Sequence, residues 1–275
     1  MGGEQNDTEV TAFVMQRFHG QFGEDRILAD MFPGAGPWTC VDVGANDGVT
    51  GSVSLYFEQA GWSCVLVEPN PELCARLRRE RTSFVFEGAA SSVHGVATLM
   101  LAEGAELSHA VSSIEQGAQT SIERQGLSVR AVDVRTAPLD TILEEAGAKP
   151  GEIAFVSIDV EGHELAVLKG FTLSRWRPRI LVIEDNSLLF GNGVRHALAS
   201  EGYVRFRRTG VNDWYAARSD REMLGSSPER DYIASMIRAR GLMLRRRISR
   251  LLISAPVVGA PLGRKIRAAR ERRND

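Results

Sequence analysis

An α/β fold of the Rossmann-like kind, a mainly parallel sheet with helices on both faces, follows from three features of the sequence. Short apolar runs alternate with segments of helical spacing, the pattern of strands joined by crossover helices. The first strand runs directly into a glycine loop, CVDVGANDG at 40–48. Near residue 210, YVRFRR and DWYAAR are close enough to pair as a hairpin, which sets one antiparallel strand at the sheet edge.

The elements can be justified in order. Residues 1–35 read as a helical preface, with FHGQFGEDRILADMF at roughly helical spacing before Pro33-Gly34. WTCVDVG (38–44) is the first strand, and GSVSLYFEQAG (51–61) a helix stopped by Gly61. SCVLVEP (63–69) is the second strand, followed by PELCARLRRER (71–81), a helix with proline at its first position. SFVFEGAAS (83–91) holds a third strand and its loop; VATLMLAE and SVRAVDVRT are strands flanking a polar insertion, 103–127. PLDTILEEAG (138–147) is a helix, AFVSIDVEG (154–162) the fourth core strand, HELAVLKGF a short helix, RILVIEDN (179–186) the fifth strand, and VRHALASEG a helix. One domain is therefore expected over 36–220, with a basic tail over 221–275.

Composition narrows the class. Of 275 residues, 43% are hydrophobic and 25% charged, as in ordinary globular chains, and no apolar run approaches the ~18 residues of a membrane span. The polar start, MGGEQNDTEV, is not a secretory signal, and Asn6 stands where a myristoylation pattern wants Ser or Thr. Cys40, Cys64 and Cys74 lack the spacing of a zinc site and read as reduced core residues. A cytoplasmic protein, with the inner membrane surface as a peripheral site, is the expectation. The net charge of −2 conceals a division: residues 238–275 hold 12 Lys/Arg against two acids, a net of +10, whereas the rest holds 21 Lys/Arg and 33 acids, a net of −12.

In such sheets ligands bind at the carboxyl ends of the strands, and the first strand-to-helix turn is the usual nucleotide site. Gly44 and Gly48 permit a tight turn and close approach of ligand to backbone. A phosphate cradle would avoid carboxylates, yet Asp42 precedes this loop and Asp47 lies within it. There is no Gly-Lys-Ser/Thr, and Asn46 occupies the place of the second glycine in a dinucleotide fingerprint. Acids beside a glycine turn suit a cationic ligand without phosphates, and S-adenosylmethionine fits. Glu68, 20 residues after Gly48, is placed to accept hydrogen bonds from ribose hydroxyls. Glu87, Gly88 and Ala89 are candidates for the adenine, with Ala45 and Pro69 completing the donor set. A plain strand-turn-helix with a solvated Glu68 is the bland alternative; loop and acid at this separation argue against it.

The segments QFGEDRIL (21–28), VDVGANDGVTGSVS (41–54), VEPNPELCARL (67–77), TAPLDTIL (136–143) and SIDVEGHELAVLKGF (157–171) resemble the FkbM family of S-adenosylmethionine-dependent methyltransferases. The resemblance spans about 150 residues and leaves the tail uncovered. It implies a class I methyltransferase fold, with a seven-stranded sheet, and a hydroxyl acceptor on a sugar, glycolipid or natural product. It also suggests that His19 and Gln21 fold over the donor.

The fourth and fifth strands end in Asp159-Val160-Glu161-Gly162-His163-Glu164 and Glu184-Asp185-Asn186, at the same rim as Gly44. Carboxylates gathered there repel one another and call for a cation. Asp159, Glu184 and Asp185 are therefore expected as ligands for Mg²⁺ or a similar divalent ion. The metal-free reading makes His163 the base, beside Asp159 and Glu161 as catalytic candidates; its bland counterpart is a helix-terminal histidine with a local hydrogen bond. Glu164 reads as a first-turn acid favouring the helix dipole. His109, Ser112 and Ser113, in the insertion, are candidates for an acceptor lid, against a plain surface loop.

In 231–253, Ile233, Met236, Ile237, Leu244, Ile248, Leu251 and Leu252 fall largely on one helical face, amid Arg238, Arg245, Arg246 and Arg250. Membrane-surface contact and protein contact, including a homo-oligomer, both suit this pattern. Nucleic acid does not, since no aromatic residues interleave with the arginines. Three other function classes stand beside methyl transfer to oxygen. They are N-methyl transfer, a non-catalytic binding or interaction module, and an NAD-dependent oxidoreductase; Asn46 and the lack of Tyr-x-x-x-Lys speak against the last.

Overall fold

A computed structural model describes residues 17–34, 36–103, 128–186 and 193–254. The parts of the preface before 17, of the insertion over 104–127 with His109, Ser112 and Ser113, and of the tail after 254 lie outside the described residues. Seven strands form the main sheet: β1 (Thr39–Val43), β2 (Ser63–Glu68), β3 (Phe84–Glu87), β7 (Ile153–Ile158), β8 (Ile180–Glu184), β9 (Tyr203–Thr209) and β10 (Asn212–Ala217). Their spatial order is β3-β2-β1-β7-β8-β10-β9. The first five run parallel. The closing hairpin completes the edge, with β10 antiparallel to both β8 and β9 and therefore one place inside it.

β1 and β7 are buried along their whole length, which is why their sequences read as continuous apolar runs. Successive side chains serve opposite faces. Val41, Val43, Val65, Val67, Val156 and Ile158 pack under helices α4 (Leu139–Glu145), α5 (Glu164–Lys169) and α7 (Gly193–Ser200). Cys40, Cys64, Leu66 and Phe155 face α1 (Glu24–Met31) and α2 (Leu55–Gln59), where Phe57 is the central ring. Burying each such large side chain contributes ~1.5–3 kcal/mol, so the two apolar layers fix the sheet between its helices. All three cysteines are buried and free.

Two regions depart from simple alternation. β4 (Ala89–Ala90), β5 (Gly95–Glu103) and β6 (Ser128–Ala137) form a separate sheet, ordered β4-β6-β5, in which the expected pair flanking the insertion is an antiparallel ribbon. The short helices α6 (Leu173–Trp176) and α8 (Arg221–Leu224) precede the final strands and the long helix α9 (Pro228–Ser254). α9 covers β9, which would otherwise be an open edge. Buried Asp213 takes 2.8 Å bonds from Arg205 and Arg208, and Arg205 also lies 3.9 Å over the Tyr232 ring, tying hairpin to helix.

Candidate active site

The loop after β1 is held from several sides. Gly44 has φ 88°, and a Cβ there would lie 1.8 Å from the Asp159 carbonyl, so no side chain fits. The N–H groups of Gly44 and Ala45 both donate to the Val67 carbonyl, at 2.9 and 3.0 Å. Asn46 is left-handed at φ 55°, a conformation asparagine tolerates better than most residues, and its N–H donates to Glu68 Oε2 at 2.9 Å. Asp47 is inaccessible and accepts from the N–H groups of Val49 and Thr50 and from the Thr50 hydroxyl. Burial pushes its carboxyl up, but those donors and Arg76 outweigh it and leave it below the ordinary value.

Beneath the loop lies a buried cation the sequence reading did not single out. Arg81, just after α3 (Pro71–Glu80), donates from Nε to Glu58 at 2.7 Å, from Nη1 to the Gly48 carbonyl at 2.9 Å and to the Ser52 hydroxyl, and from Nη2 to the Ser54 hydroxyl. Ser54 in turn donates to Asp42 Oδ2 at 2.7 Å. Burial raises the Asp42 carboxyl, which the Ser54 hydrogen bond and Arg81 partly oppose. Nothing in RLRRER distinguishes this arginine from its neighbours; only the packing of α3 turns it inward.

On the other side the strand ends open into a cleft. Gly44, Asn46, Glu68 and Pro69 line one wall, Ala89 and Leu99 another, and Asp159, Glu161 and His163 the third. Glu68 is 4% exposed, and its two oxygens accept the Asn46 and Asn70 N–H groups, each at 2.9 Å. Burial pushes its carboxyl up to about 7 despite those bonds.

The far wall carries an acid cluster. Asp159, Glu161 and Glu184 each place a carboxylate oxygen within 4.8 Å of the others. Asp159 and Glu161 are exposed at the cleft mouth and Glu184 is half-buried. Partial desolvation within the cleft, then the charge of Glu184, raises Asp159 to about 8; desolvation and Asp159 raise Glu161 to about 7; desolvation and Glu161 raise Glu184 as well. Glu161 has φ 51°, a strained conformation for glutamate, and it turns the chain at the end of β7. His163, the residue before α5, shares a 3.0 Å hydrogen bond between Nε2 and Ser91 Oγ. Glu164 accepts the Gly162 N–H at 2.9 Å, the local role expected of it.

Of the predicted donor-binding residues, Gly44, Asn46, Glu68, Pro69 and Ala89 reach the cleft wall. Asp42, Ala45, Asp47 and Gly48 instead build the loop from below. Asp42 is turned toward Ser54, and Gly48 has Leu77 within 2.4 Å of where a Cβ would stand. Glu87 is drawn to the surface by Arg78, at 2.6 Å, and Gly88 is boxed in by Arg135 and Phe86. Among the described residues, Asp159 and Glu184 of the expected metal ligands converge together with Glu161, and Asp185 is not in that group. His19 and Gln21 do not line the cleft; the His19 N–H bonds Asp25, and the Gln21 carbonyl accepts from Arg246. Sequence reading also missed Leu73, Ala90, Leu99 and Ser91, apolar or small residues with no chemical signature of their own.

Residues 42–205 match the family model of the methyltransferase FkbM domain. The chain belongs to that family. No curated protein sequence matches it. Among solved structures, it is similar to a precorrin-6y C5,15-methyltransferase from Geobacter metallireducens, at 12% identity and TM-score 0.38, covering 70% of this chain and 84% of that one. A TehB-like SAM-dependent methyltransferase from Corynebacterium glutamicum is similar at 11% identity and TM-score 0.40, covering 72% and 88%. This FkbM-domain protein is accordingly an S-adenosylmethionine-dependent methyltransferase. Its cleft suits the donor: a buried, doubly anchored carboxylate at the end of β2, bare backbone at Gly44, and negative charge for a sulfonium.

Proposed function

We propose that the methyl group is transferred to a hydroxyl oxygen of a polar acceptor, such as a sugar, glycolipid or hydroxylated natural product. The supporting observation is the Asp159–Glu161–Glu184 cluster, whose proton affinity is raised into the neutral range at the wall of the donor cleft. Bound S-adenosylmethionine supplies an electrophilic methyl carbon. The acceptor oxygen forms the new bond as the carbon–sulfur bond breaks, and the hydroxyl proton must leave. A carboxylate with a pKa near the working pH is a suitable receiver, contributing typically 10²–10⁴-fold. Asp159, fixed by its backbone bond to Val43, is the residue we assign to that proton, with Glu161 and Glu184 raising its affinity. His163, held by Ser91, orients the acceptor from the neighbouring wall. Restricting acceptor and donor to one alignment can supply a larger share than the base, about 7–11 kcal/mol in favourable cases.

The same three oxygens are hard ligands of the type Mg²⁺ takes, and an ion there would lower the pKa of a coordinated hydroxyl. Chelation separates the two readings. Activity lost with EDTA and restored by Mg²⁺ assigns a cation to the cluster, whereas activity indifferent to EDTA assigns shared protons. Acceptor chemistry is tested by transfer of labelled methyl from S-adenosylmethionine into glycan and metabolite extracts, with Asp159→Asn as the blank. Label in an ether stable to acid and base supports the proposal; label on nitrogen overturns it.

A further inference from the structure

Among the described side chains of α9, Ala239 is the last buried one, 5% exposed, and the helix continues to Ser254. Over this extension Arg246 lies 4.8 Å over the Phe22 ring and reaches the Gln21 carbonyl at 3.4 Å. Phe22 itself lies against Gly210, the turn between β9 and β10, and Asn212 beyond that turn is in register with Glu184. The helix therefore leaves the body at the rim that carries the acid cluster.

Its outer face is apolar. Ile233, Ile237, Leu244 and Ile248 are 52%, 62%, 59% and 47% exposed. At about 100° per residue these four fall within a stripe roughly 60° wide and ~22 Å long, opposite the face that buries Ser235 and Ala239, while Leu242 and Met243, 41% and 38% exposed, lie off the stripe. Arg240 flanks it on one side and Arg245 on the other. Across α9 there are seven arginines against two acids, and 255–275 adds six Lys/Arg against two acids.

We propose that this face of α9 docks on an anionic membrane surface, holding the active-site rim close to the bilayer. An apolar stripe between long cationic side chains matches a helix lying in the headgroup region, with aliphatic side chains inserted and guanidinium groups at the phosphates. Pairing with a second copy through the stripe would set two strongly basic helices against each other. A nucleic acid would leave four aliphatic side chains in water. Among the described residues no helix is long and apolar enough to cross a membrane, so contact is at the surface.

Co-flotation of the full chain with vesicles tests this directly. Binding to phosphatidylcholine containing phosphatidylglycerol should exceed binding to phosphatidylcholine alone, and fall as salt is raised. Arg245→Gln should weaken it about fivefold. Leu244→Glu with Ile248→Glu should abolish it, while thermal stability and S-adenosylhomocysteine affinity stay at wild-type values because these side chains are exposed. Equal binding to neutral vesicles, no binding to either, or a dimer that Leu244→Glu dissociates would each overturn the proposal.

Discussion

Glu68 is a buried acid whose charge costs the empty protein stability, and replacing it by glutamine should expose that cost. Its carboxyl is raised from 4.5 to about 7, a difference equivalent to about 3 kcal/mol between its two protonation states. The sign follows from linkage: the folded state holds this proton more tightly than the unfolded one, so stability falls as pH rises from about 4.5 and the penalty is complete above about 7. Glu68→Gln carries no charge at any pH, but its amide end turns a donor toward the Asn46 or Asn70 N–H, costing about 1–3 kcal/mol. Protonated Glu68 keeps a lone pair on each oxygen for the two N–H groups, so this defect belongs to the variant alone. Near pH 4 the variant should therefore be the less stable by about 1–3 kcal/mol, and by pH 8.5, where wild type has lost about 3 kcal/mol, the difference should close or reverse in the ligand-free protein.

Donor affinity should move the other way. The ionised carboxylate retains lone pairs for ribose hydroxyls, and a hydrogen bond to a charged group contributes about 1.5–3 kcal/mol, so Glu68→Gln should weaken S-adenosylhomocysteine binding about 10- to 100-fold. Wild-type affinity should rise with pH and level off above about 7, because binding favours the deprotonated form; in the variant that dependence should vanish. Thermal unfolding at the two pH values and calorimetric titration of S-adenosylhomocysteine provide the assay. A stability difference that does not shift in the variant's favour by roughly 3 kcal/mol between pH 4 and pH 8.5, or a variant that binds with unchanged affinity, would refute the reasoning.

Three further outcomes follow from the same geometry. Arg81→Met leaves Glu58 and Asp42 without their buried counter-charge and should destabilise the chain by about 3–5 kcal/mol in denaturant titration. Gly44→Ala forces a Cβ into the Asp159 carbonyl at positive φ, and should abolish S-adenosylhomocysteine binding in the fraction that folds. Asp159→Asn should lower kcat about 10²–10⁴-fold with donor affinity within a few-fold, while the wild-type rate rises with pH through about 7–8 as Glu161 and then Asp159 lose their protons.

What was legible in the sequence was whatever a period or a turn encodes. Continuous apolar runs gave the parallel strands, and Gly44, Asn46 and Gly48 gave the loop, since few residues accept those backbone angles. Glu68 was legible because it closes a buried strand 20 positions after the loop. Side-chain direction was not. Asp42 and Glu68 both lie at strand ends, but one serves the packing below the loop and the other the cleft above it. The sequence also did not show that Glu161 would converge with Asp159 and Glu184, since its positive φ is a backbone event that composition does not announce. Nor did sequence reveal that Leu99, from a separate ribbon, would help to close the cleft.

The acids divide by how their charge is compensated. Asp47 and Glu58 lie below their ordinary values because amides, hydroxyls and arginines surround them, and they hold the loop rigid. Glu68, Asp159, Glu161 and Glu184 lie above theirs, desolvation being the largest cause for each and a nearby acid adding to it. A raised carboxyl alone does not mark a site, since burial also raises Asp42 and Asp213, which Ser54 and Arg81, and Arg205 and Arg208, tie into the frame. What sets Glu68, Asp159 and Glu161 apart is that they line the cleft. A raised acid in a cleft is a candidate for function; in the reading proposed above, the donor's ribose hydroxyls would meet Glu68 and the acceptor's proton, or a cation, would meet the Asp159 cluster.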